Sequence, residues 1–203
     1  FSEETWERIR VNYYAMVMYI DREIGRLLEV VEASGEPYLV AFTADHGELL
    51  GDHGLLYKGL YHYDGLIKVP LIMSGAGVRG PGTVVETPVQ QIDIMPTLLA
   101  ASGLTVPAAC QGAALPGVTR GAGEVPYEYT LTEQRAPWHE PELRCVTLRS
   151  NRWKLTVFNR GELGELYDLS NDPAEQANLW QDPAHADTRA RLLHRLAQRR
   201  LET

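Results

Sequence analysis

Residues 38–47 read Tyr-Leu-Val-Ala-Phe-Thr-Ala-Asp-His-Gly, so an apolar run leads directly into an acid and an imidazole. The run at 38–42 follows a long amphipathic segment, and in that position it predicts a buried parallel strand. Asp45 and His46 would then lie just past the carboxyl end of the strand, where open α/β sheets place their ligands. The pattern therefore predicts an α/β fold with a ligand site at this edge.

Asp45 and His46 carry side chains that suit a divalent cation. A carboxylate oxygen and an imidazole nitrogen are both good ligands for such an ion. Gly47 permits the sharp turn that would let two neighbouring residues converge on it. The alternative is that Asp45 only caps a turn or a helix after the strand. Both interpretations are open at this point.

Lys58 lies 13 residues beyond Asp45, in a segment marked by glycines. Its ammonium could serve as a point charge for a transferring oxyanion. It could equally be an ordinary solvated lysine. The spacing alone does not decide between the two.

Other polar side chains in the second half of this loop and beyond it are weaker candidates. His53 could contact a substrate, or it could only order the turn that contains it. His62 and Asp64 are expected either at the rim of a pocket or at the surface. Trp138 and His139 fall in a loop between strand-like runs, a place where specificity is often set.

Composition excludes some classes of partner. The 203 residues include 19 basic and 27 acidic side chains, for a net charge of -8. This charge disfavours nonspecific binding to nucleic acid or to anionic membranes. No apolar run approaches the ~20 residues of a membrane span, and no signal peptide is visible. The start at Phe1 suggests a cleaved or engineered chain, so the missing signal says little about the compartment. A soluble protein is expected, in either the cytoplasm or the periplasm.

The remaining pattern predicts two parts, at residues 1–105 and 106–203. The first part should hold a helix over 5–34, a second buried strand over 69–73 and a helix from Asp93 to about 102. Residues 105–125 are expected to form a connecting loop. The second part should be a small antiparallel sheet followed by a helix that opens at Asp182-Pro183, with strands at 127–132, 144–149, 153–158 and 166–169. The two cysteines, Cys110 and Cys145, form neither a disulfide framework nor a paired zinc pattern.

Several ordered motifs resemble the sulfatase family of the alkaline phosphatase superfamily. They are Thr-Ala-Asp-His-Gly-Glu at 43–48, Leu-Gly-Asp-His-Gly-Leu at 50–55, Tyr-Lys-Gly at 57–59, Lys-Val-Pro-Leu-Ile at 68–72, Gln-Ile-Asp-Ile-Met-Pro-Thr-Leu-Leu at 91–99, Arg-Trp-Lys-Leu at 152–155 and Glu-Leu-Tyr-Asp-Leu-Ser-Asn-Asp-Pro at 165–173. The resemblance extends over almost the whole chain.

The resemblance implies roles for particular residues. Asp45 and His46 would be metal ligands, and Lys58 the catalytic contact to the sulfate or phosphate group. Many sulfatases carry Asn beside the acid, where this chain has His46. Imidazole shifts the preferred ion from Ca toward Mn or Zn. The implied substrate is a small-molecule sulfate ester, with phosphonate monoesters or phosphodiesters as the alternative.

The family's nucleophile is a formylglycine made from cysteine in a Cys-x-Pro-x-Arg motif of the N-terminal half. This chain has no such motif. Thr147 occupies the proline position after Cys145, and Cys110 is followed by Gln-Gly. Cys145 is instead expected to be a buried strand residue. The chain therefore resembles the C-terminal part of a sulfatase and is expected to be inactive alone. A sheet divided in this way would leave edges uncovered, which predicts self-association.

Overall fold

A computed structural model describes residues 1–78, 82–115, 128–136, 142–160 and 163–202. The chain is a mixed α/β structure with two antiparallel sheets and a helix at each end, which confirms the predicted fold class. The division into residues 1–105 and 106–203 stays a prediction. Trp138, His139 and part of the predicted loop at 105–125 lie outside the described residues.

The first element is the long helix α1, Glu3–Ala33. The Ser2 hydroxyl caps it by accepting a hydrogen bond from the Thr5 amide at 3.3 Å, and Gly35 follows it with a φ of 70° that favours glycine. The helix matches the predicted one within two residues. All of α1 is described, and none of its residues is buried. Its apolar side chains are therefore largely exposed.

The strands β1, Leu39–Thr43, and β2, Leu71–Gly75, form a two-stranded sheet. They pair antiparallel, with Leu39 opposite Gly75 and Thr43 opposite Leu71, so the predicted parallel, buried arrangement is wrong. The connecting residues leave and return at the same end of the sheet, where the Gly47 amide donates to the Leu66 carbonyl at 2.7 Å. A parallel pair would need a crossover to the opposite end. Both strands are also only partly buried.

Two short helices complete the first part of the fold: α2, Asp64–Ile67, and α3, Ile94–Ala101. Asp93 lies at the N-cap of α3 as predicted, but its buried carboxylate accepts hydrogen bonds from the Gln90 amide at 2.7 Å and the Ala113 amide at 2.9 Å. It therefore ties the segments before and after α3 together.

The second part is a four-stranded antiparallel sheet in the order β3-β4-β5-β6. Its strands are Thr130–Ala136, Leu143–Arg149, Trp153–Phe158 and Gly164–Asp168. The antiparallel sheet is confirmed, although β3 begins and ends later in the chain than predicted. The helix α4, Ala186–Glu202, packs on one face. The apolar core between them contains Tyr129, Leu148, Trp153, Leu155, Leu166, Leu192 and Leu196.

Helix α4 starts at Ala186, three residues after the predicted start at Asp182-Pro183. A short turn at Pro183–His185 precedes it, and the Asp182 carboxylate accepts from the Ala184 amide at 2.9 Å. Cys145 is buried as expected. Among the helices of the described residues, none combines the length and the apolar character needed to cross a membrane.

Candidate functional site

The site begins at the end of β1, where the chain turns through Asp45 and His46. The Asp45 carboxylate accepts a hydrogen bond from the His46 amide at 3.0 Å. Its other oxygen lies 3.5 Å from Nε2 of the His46 ring. The Asp45 side chain is 86% exposed and that of His46 is 37% exposed. The two predicted metal ligands therefore converge on one accessible spot at the sheet edge.

The imidazole of His46 has a defined orientation. Its Nδ1 lies 2.8 Å from the carbonyl oxygen of Gly47. A carbonyl can only accept, so Nδ1 carries the proton and Nε2 presents its lone pair. A hydrogen bond from one ring nitrogen to a backbone carbonyl commonly fixes the orientation of a metal-binding histidine.

Lys58 reaches the same ring from the following loop. Its ammonium nitrogen lies 2.9 Å from Nε2 of His46. The structure thus brings together all three residues to which the sequence assigns the main roles.

Glu48 folds the loop that carries Lys58 back onto the sheet edge. One carboxylate oxygen accepts hydrogen bonds from the Leu50 amide at 3.2 Å and the Tyr57 amide at 2.6 Å. Leu50 and Tyr57 both adopt positive φ, at 49° and 66°, a conformation that costs about 1 kcal/mol or more for such residues. Glu48 therefore offsets this strain and places Lys58 beside His46.

Gln91 supports the site from the turn before α3. Its side-chain amide donates to the carbonyls of Ala44 at 2.6 Å and Asp45 at 3.0 Å. Gln91 and Glu48 had no role predicted from the sequence. Both belong to motifs of the family resemblance, Glu48 at the end of residues 43–48 and Gln91 at the start of 91–99. Membership in these motifs was the one sign in the sequence that the two residues could support the site.

The other candidate histidine of the loop has a different environment. The His53 ring stacks on Tyr63, with ring centroids 3.6 Å apart and planes within 8°. His53 itself has a φ of 54°. The stacking fits the turn-ordering interpretation, and its contact with substrate stays a prediction.

His62 does not lie at a surface or rim, contrary to expectation, and the Asp64 side chain is only partly exposed. His62 is buried, and its ring contacts the Thr147 hydroxyl at 2.7 Å and the Gln134 side-chain carbonyl at 3.2 Å. Burial lowers the pKa of His62 to about 4, so the ring is neutral in the fold. Hydrogen bonds to both ring nitrogens compensate the lost hydration.

Asp64 takes part in a buried charged cluster. Its carboxylate accepts two hydrogen bonds from Arg149, at 2.9 and 2.6 Å. Burial alone would raise the pKa of Asp64, but the hydrogen bonds and charge of Arg149 leave it lowered. Lys154, also in the cluster, is fully buried, and this burial lowers its pKa to about 7 against the opposing charges of Asp64 and Glu165.

The donor set fits part of a metal site. Two donors that each bind one ion at about 2.1 Å can be up to about 4.2 Å apart, and Asp45 and His46 present theirs 3.5 Å apart. Across the described stretches, no group of three or more His, Cys, Asp or Glu is placed to share an ion. A divalent ion takes at least four ligands, so it would need further ligands beyond this pair.

Comparisons with known proteins agree with the fold. Residues 51–202, well over half of the chain, match the family described as N-sulphoglucosamine sulphohydrolase, C-terminal. The choline-sulfatase of Rhizobium meliloti is 30% identical over 190 residues, which covers 90% of this chain and 35% of the relative. The chain thus spans about a third of the length of that relative.

Solved structures are similar as well. A phosphonate monoester hydrolase from Silicibacter pomeroyi is 31% identical with a TM-score of 0.86, covering 98% of this chain and 42% of the other. The protein BT4656, in complex with its substrate D-glucosamine-2-N,6-O-disulfate, is 28% identical with a TM-score of 0.81, covering 92% and 39%. The chain belongs to the sulfatase family of the alkaline phosphatase superfamily, and within it to the group described by the C-terminal region of N-sulphoglucosamine sulphohydrolase.

Proposed function

We propose that residues 1–203 form the C-terminal part of a metal-dependent sulfuric ester hydrolase. The observation that carries the proposal is the geometry of His46. Its Nδ1 is held by the Gly47 carbonyl, and its Nε2 faces the same spot as the Asp45 carboxylate and the Lys58 ammonium. A cation site and an anion contact therefore adjoin.

Asp45 and His46 would hold a divalent ion, with Mn or Zn favoured over Ca by the imidazole. Such an ion, when bound, supplies Lewis acidity toward the ester oxygens. The lone pair of His46 cannot serve both a metal and Lys58. Cation binding would therefore release the Lys58 ammonium, which would then bind the negative oxygens of the ester and stabilise their charge.

The remaining chemistry is assigned to residues outside this chain. We infer that a formylglycine nucleophile and the general acid for the leaving group belong to the larger protein. The chain alone would then be a non-catalytic piece. The substrate of the whole protein would be a small-molecule sulfate ester. Among its relatives are a choline-sulfatase and BT4656, whose substrate is a sulfated glucosamine.

A phosphonate monoester or phosphodiester hydrolase is the second candidate. Two observations favour it: the imidazole of His46 beside the acid, and the close structural similarity to a phosphonate monoester hydrolase. Sulfate and phosphonate monoesters present similar negative oxygens to Lys58, so the same site could act on either.

Parallel kinetics test the two candidates. The whole protein would be assayed on an aryl sulfate and on an aryl phosphonate monoester with the same leaving group, and the higher kcat/KM assigns the class. The 203-residue chain, given Mn²⁺ or Ca²⁺, should turn over neither ester. Turnover by the chain alone would contradict the assignment of the nucleophile to another part of the protein.

We also propose that the isolated chain self-associates through its exposed apolar surface. Helix α1 exposes apolar side chains along its length, including Tyr14, Val17, Met18, Tyr19, Ile20, Leu27 and Val30. Phe42 and Ile72 are exposed on the two-stranded sheet. An apolar surface of this extent usually marks an interface.

A further inference from the structure

A buried ion pair joins the second sheet to the loop region of the site. Lys154 on β5 is 0% exposed, and its ammonium pairs with the Glu175 carboxylate, which is also buried. The same ammonium donates to the His62 carbonyl at 2.6 Å. Glu175 in turn accepts from the Asp64 amide at 2.7 Å. The Lys154 ammonium therefore bonds the backbone just before α2, and the Glu175 carboxylate bonds the backbone at its start.

The side chain of Asp64 adds a third attachment at the same place. It forms the paired hydrogen bonds with Arg149 on β4 and lies 3.8 Å from the Lys154 ammonium. The first turn of α2 is thus fixed to β4 and β5 through both its backbone and its side chain.

A short chain of hydrogen bonds leads from α2 to His46. The Leu66 carbonyl, at the other end of α2, accepts from the Gly47 amide at 2.7 Å. The Gly47 carbonyl accepts from Nδ1 of His46 at 2.8 Å. One peptide unit on each side of Gly47 therefore connects α2 with the imidazole.

The contact between Gly47 and α2 leaves no room for adjustment. A Cβ atom at Gly47 would lie 2.0 Å from the Gly65 carbonyl oxygen, well inside van der Waals contact. The two backbones are packed directly on each other, so a shift of α2 must move the Gly47 peptide.

We propose that the Lys154–Glu175 pair is a positioning device for the active site, which fixes α2 and thereby the Nδ1-protonated form of His46. The inference rests on the proposed function for its catalytic meaning. Stability alone does not explain the pair, because a buried ion pair can often be replaced by apolar residues of similar volume without loss. The pair forms hydrogen bonds to the backbone of residues 62 and 64, and an apolar pair could not form them.

The test uses the double variant Lys154→Met/Glu175→Leu, which removes both charges and leaves neither unpaired. The first readout is the protonation of the His46 ring nitrogens in the metal-free 203-residue chain, measured by nitrogen-15 NMR of labelled histidines and assigned with His46→Gln. We expect Nδ1 protonation in the wild type and a mixture of both tautomers in the folded double variant. The second readout is the Mn²⁺ affinity of the whole protein, which should weaken about 10- to 100-fold.

The control is Arg152→Met, two residues before Lys154 and immediately before β5 begins. Arg152 pairs with Asp168 at 3.0 Å and is 60% exposed, and the described contacts of its side chain do not include residues 62–66. This variant should leave the tautomer and the Mn²⁺ affinity unchanged. If the double variant does not fold, Glu175→Gln replaces it. This variant keeps an acceptor for the Asp64 amide but removes the charge that holds the Lys154 ammonium at the His62 carbonyl, so it should shift both readouts in the same direction by a smaller amount.

A folded double variant with wild-type Nδ1 protonation and wild-type Mn²⁺ affinity would overturn the inference and leave the pair a purely structural one. The tautomer readout needs neither metal nor substrate. If the wild-type protein itself failed to bind Mn²⁺ at His46, the proposed function would fail while the NMR comparison still decided the positioning role.

Discussion

The four-stranded sheet and the region around α1 differ in how far each completes its own packing. In β5, the four consecutive residues 153–156 are buried, because α4 covers one face and the polar cluster around His62 covers the other. In α1, 31 described residues include none that is buried. The four-stranded sheet therefore contains the well-packed core of the chain. The region around α1 carries the accessible Asp45–His46 pair and the exposed apolar side chains.

The largest difference should appear when the same truncation is made in both regions. Leu155→Ala, at a position 0% exposed, should lower the free energy of unfolding by about 2–5 kcal/mol because it leaves a core cavity. Leu27→Ala, at a position 66% exposed, should change it by less than about 0.5 kcal/mol. Urea denaturation followed by circular dichroism measures both. Equal losses of stability in the two variants would contradict the difference in packing between the two regions.

The chemistry should depend on the less packed region. Lys58→Ala in the whole protein should lower kcat about 10²- to 10³-fold, because the charge that stabilises the oxyanion is removed. Lys68→Ala, an exposed lysine on the same segment, is the matched control and should retain wild-type kcat. A normal kcat in Lys58→Ala would show that this ammonium does not act on the ester.

The well-packed region should also control the response to acid. The pKa of His62 is about 4 in the fold, below its ordinary value of 6.5, so the unfolded chain binds more protons between these values. The stability contributed by neutral His62 is therefore complete above pH 6.5 and is lost as the pH falls toward 4. The loss amounts to about 3 kcal/mol.

Denaturation curves across this pH range measure the effect. His62→Gln, which cannot titrate, should show a flatter dependence than the wild type between pH 6.5 and 4. Asp64, whose pKa is also lowered, changes the stability mainly at lower pH, and it does so in the wild type and in the variant alike. An unchanged slope in the variant would mean that His62 takes up its proton without opening the fold.

The smallest expected effect is on association. Ile20→Arg introduces a charge into the exposed apolar surface of α1 and should shift the 203-residue chain toward monomer in light scattering. Asn12→Arg adds the same charge at an exposed polar position of α1 and should not. A wild-type chain that is already monomeric at all concentrations would refute the proposed self-association.

Local patterns predicted much of this structure. Apolar spacing identified α1, and alternating residues identified the antiparallel sheet, since both periods are directly visible in a sequence. The motifs around Asp45 and Lys58 marked the side chains that the structure brings within hydrogen-bonding distance through His46. These features depend on residues close in sequence or on a recognisable family pattern.

The remaining features depend on contacts between distant segments. A short apolar run such as β1 carries no information on the direction of its partner, and the predicted parallel pairing was wrong. Charged residues ordinarily predict exposure, so the burial of Lys154 and Glu175 could not be anticipated. Glu48 and Gln91 act through backbone groups whose positions exist only in the folded chain.

The most direct test of the site is the position of a bound cation in the whole protein. Crystals containing Mn²⁺ and sulfate would be measured at the manganese absorption edge, so that the anomalous signal locates the ion. We predict an ion about 2.0–2.3 Å from both the Asp45 carboxylate and Nε2 of His46, with the Lys58 ammonium turned away from His46 and onto the sulfate. An ion bound elsewhere, with Lys58 still hydrogen-bonded to His46, would contradict the account.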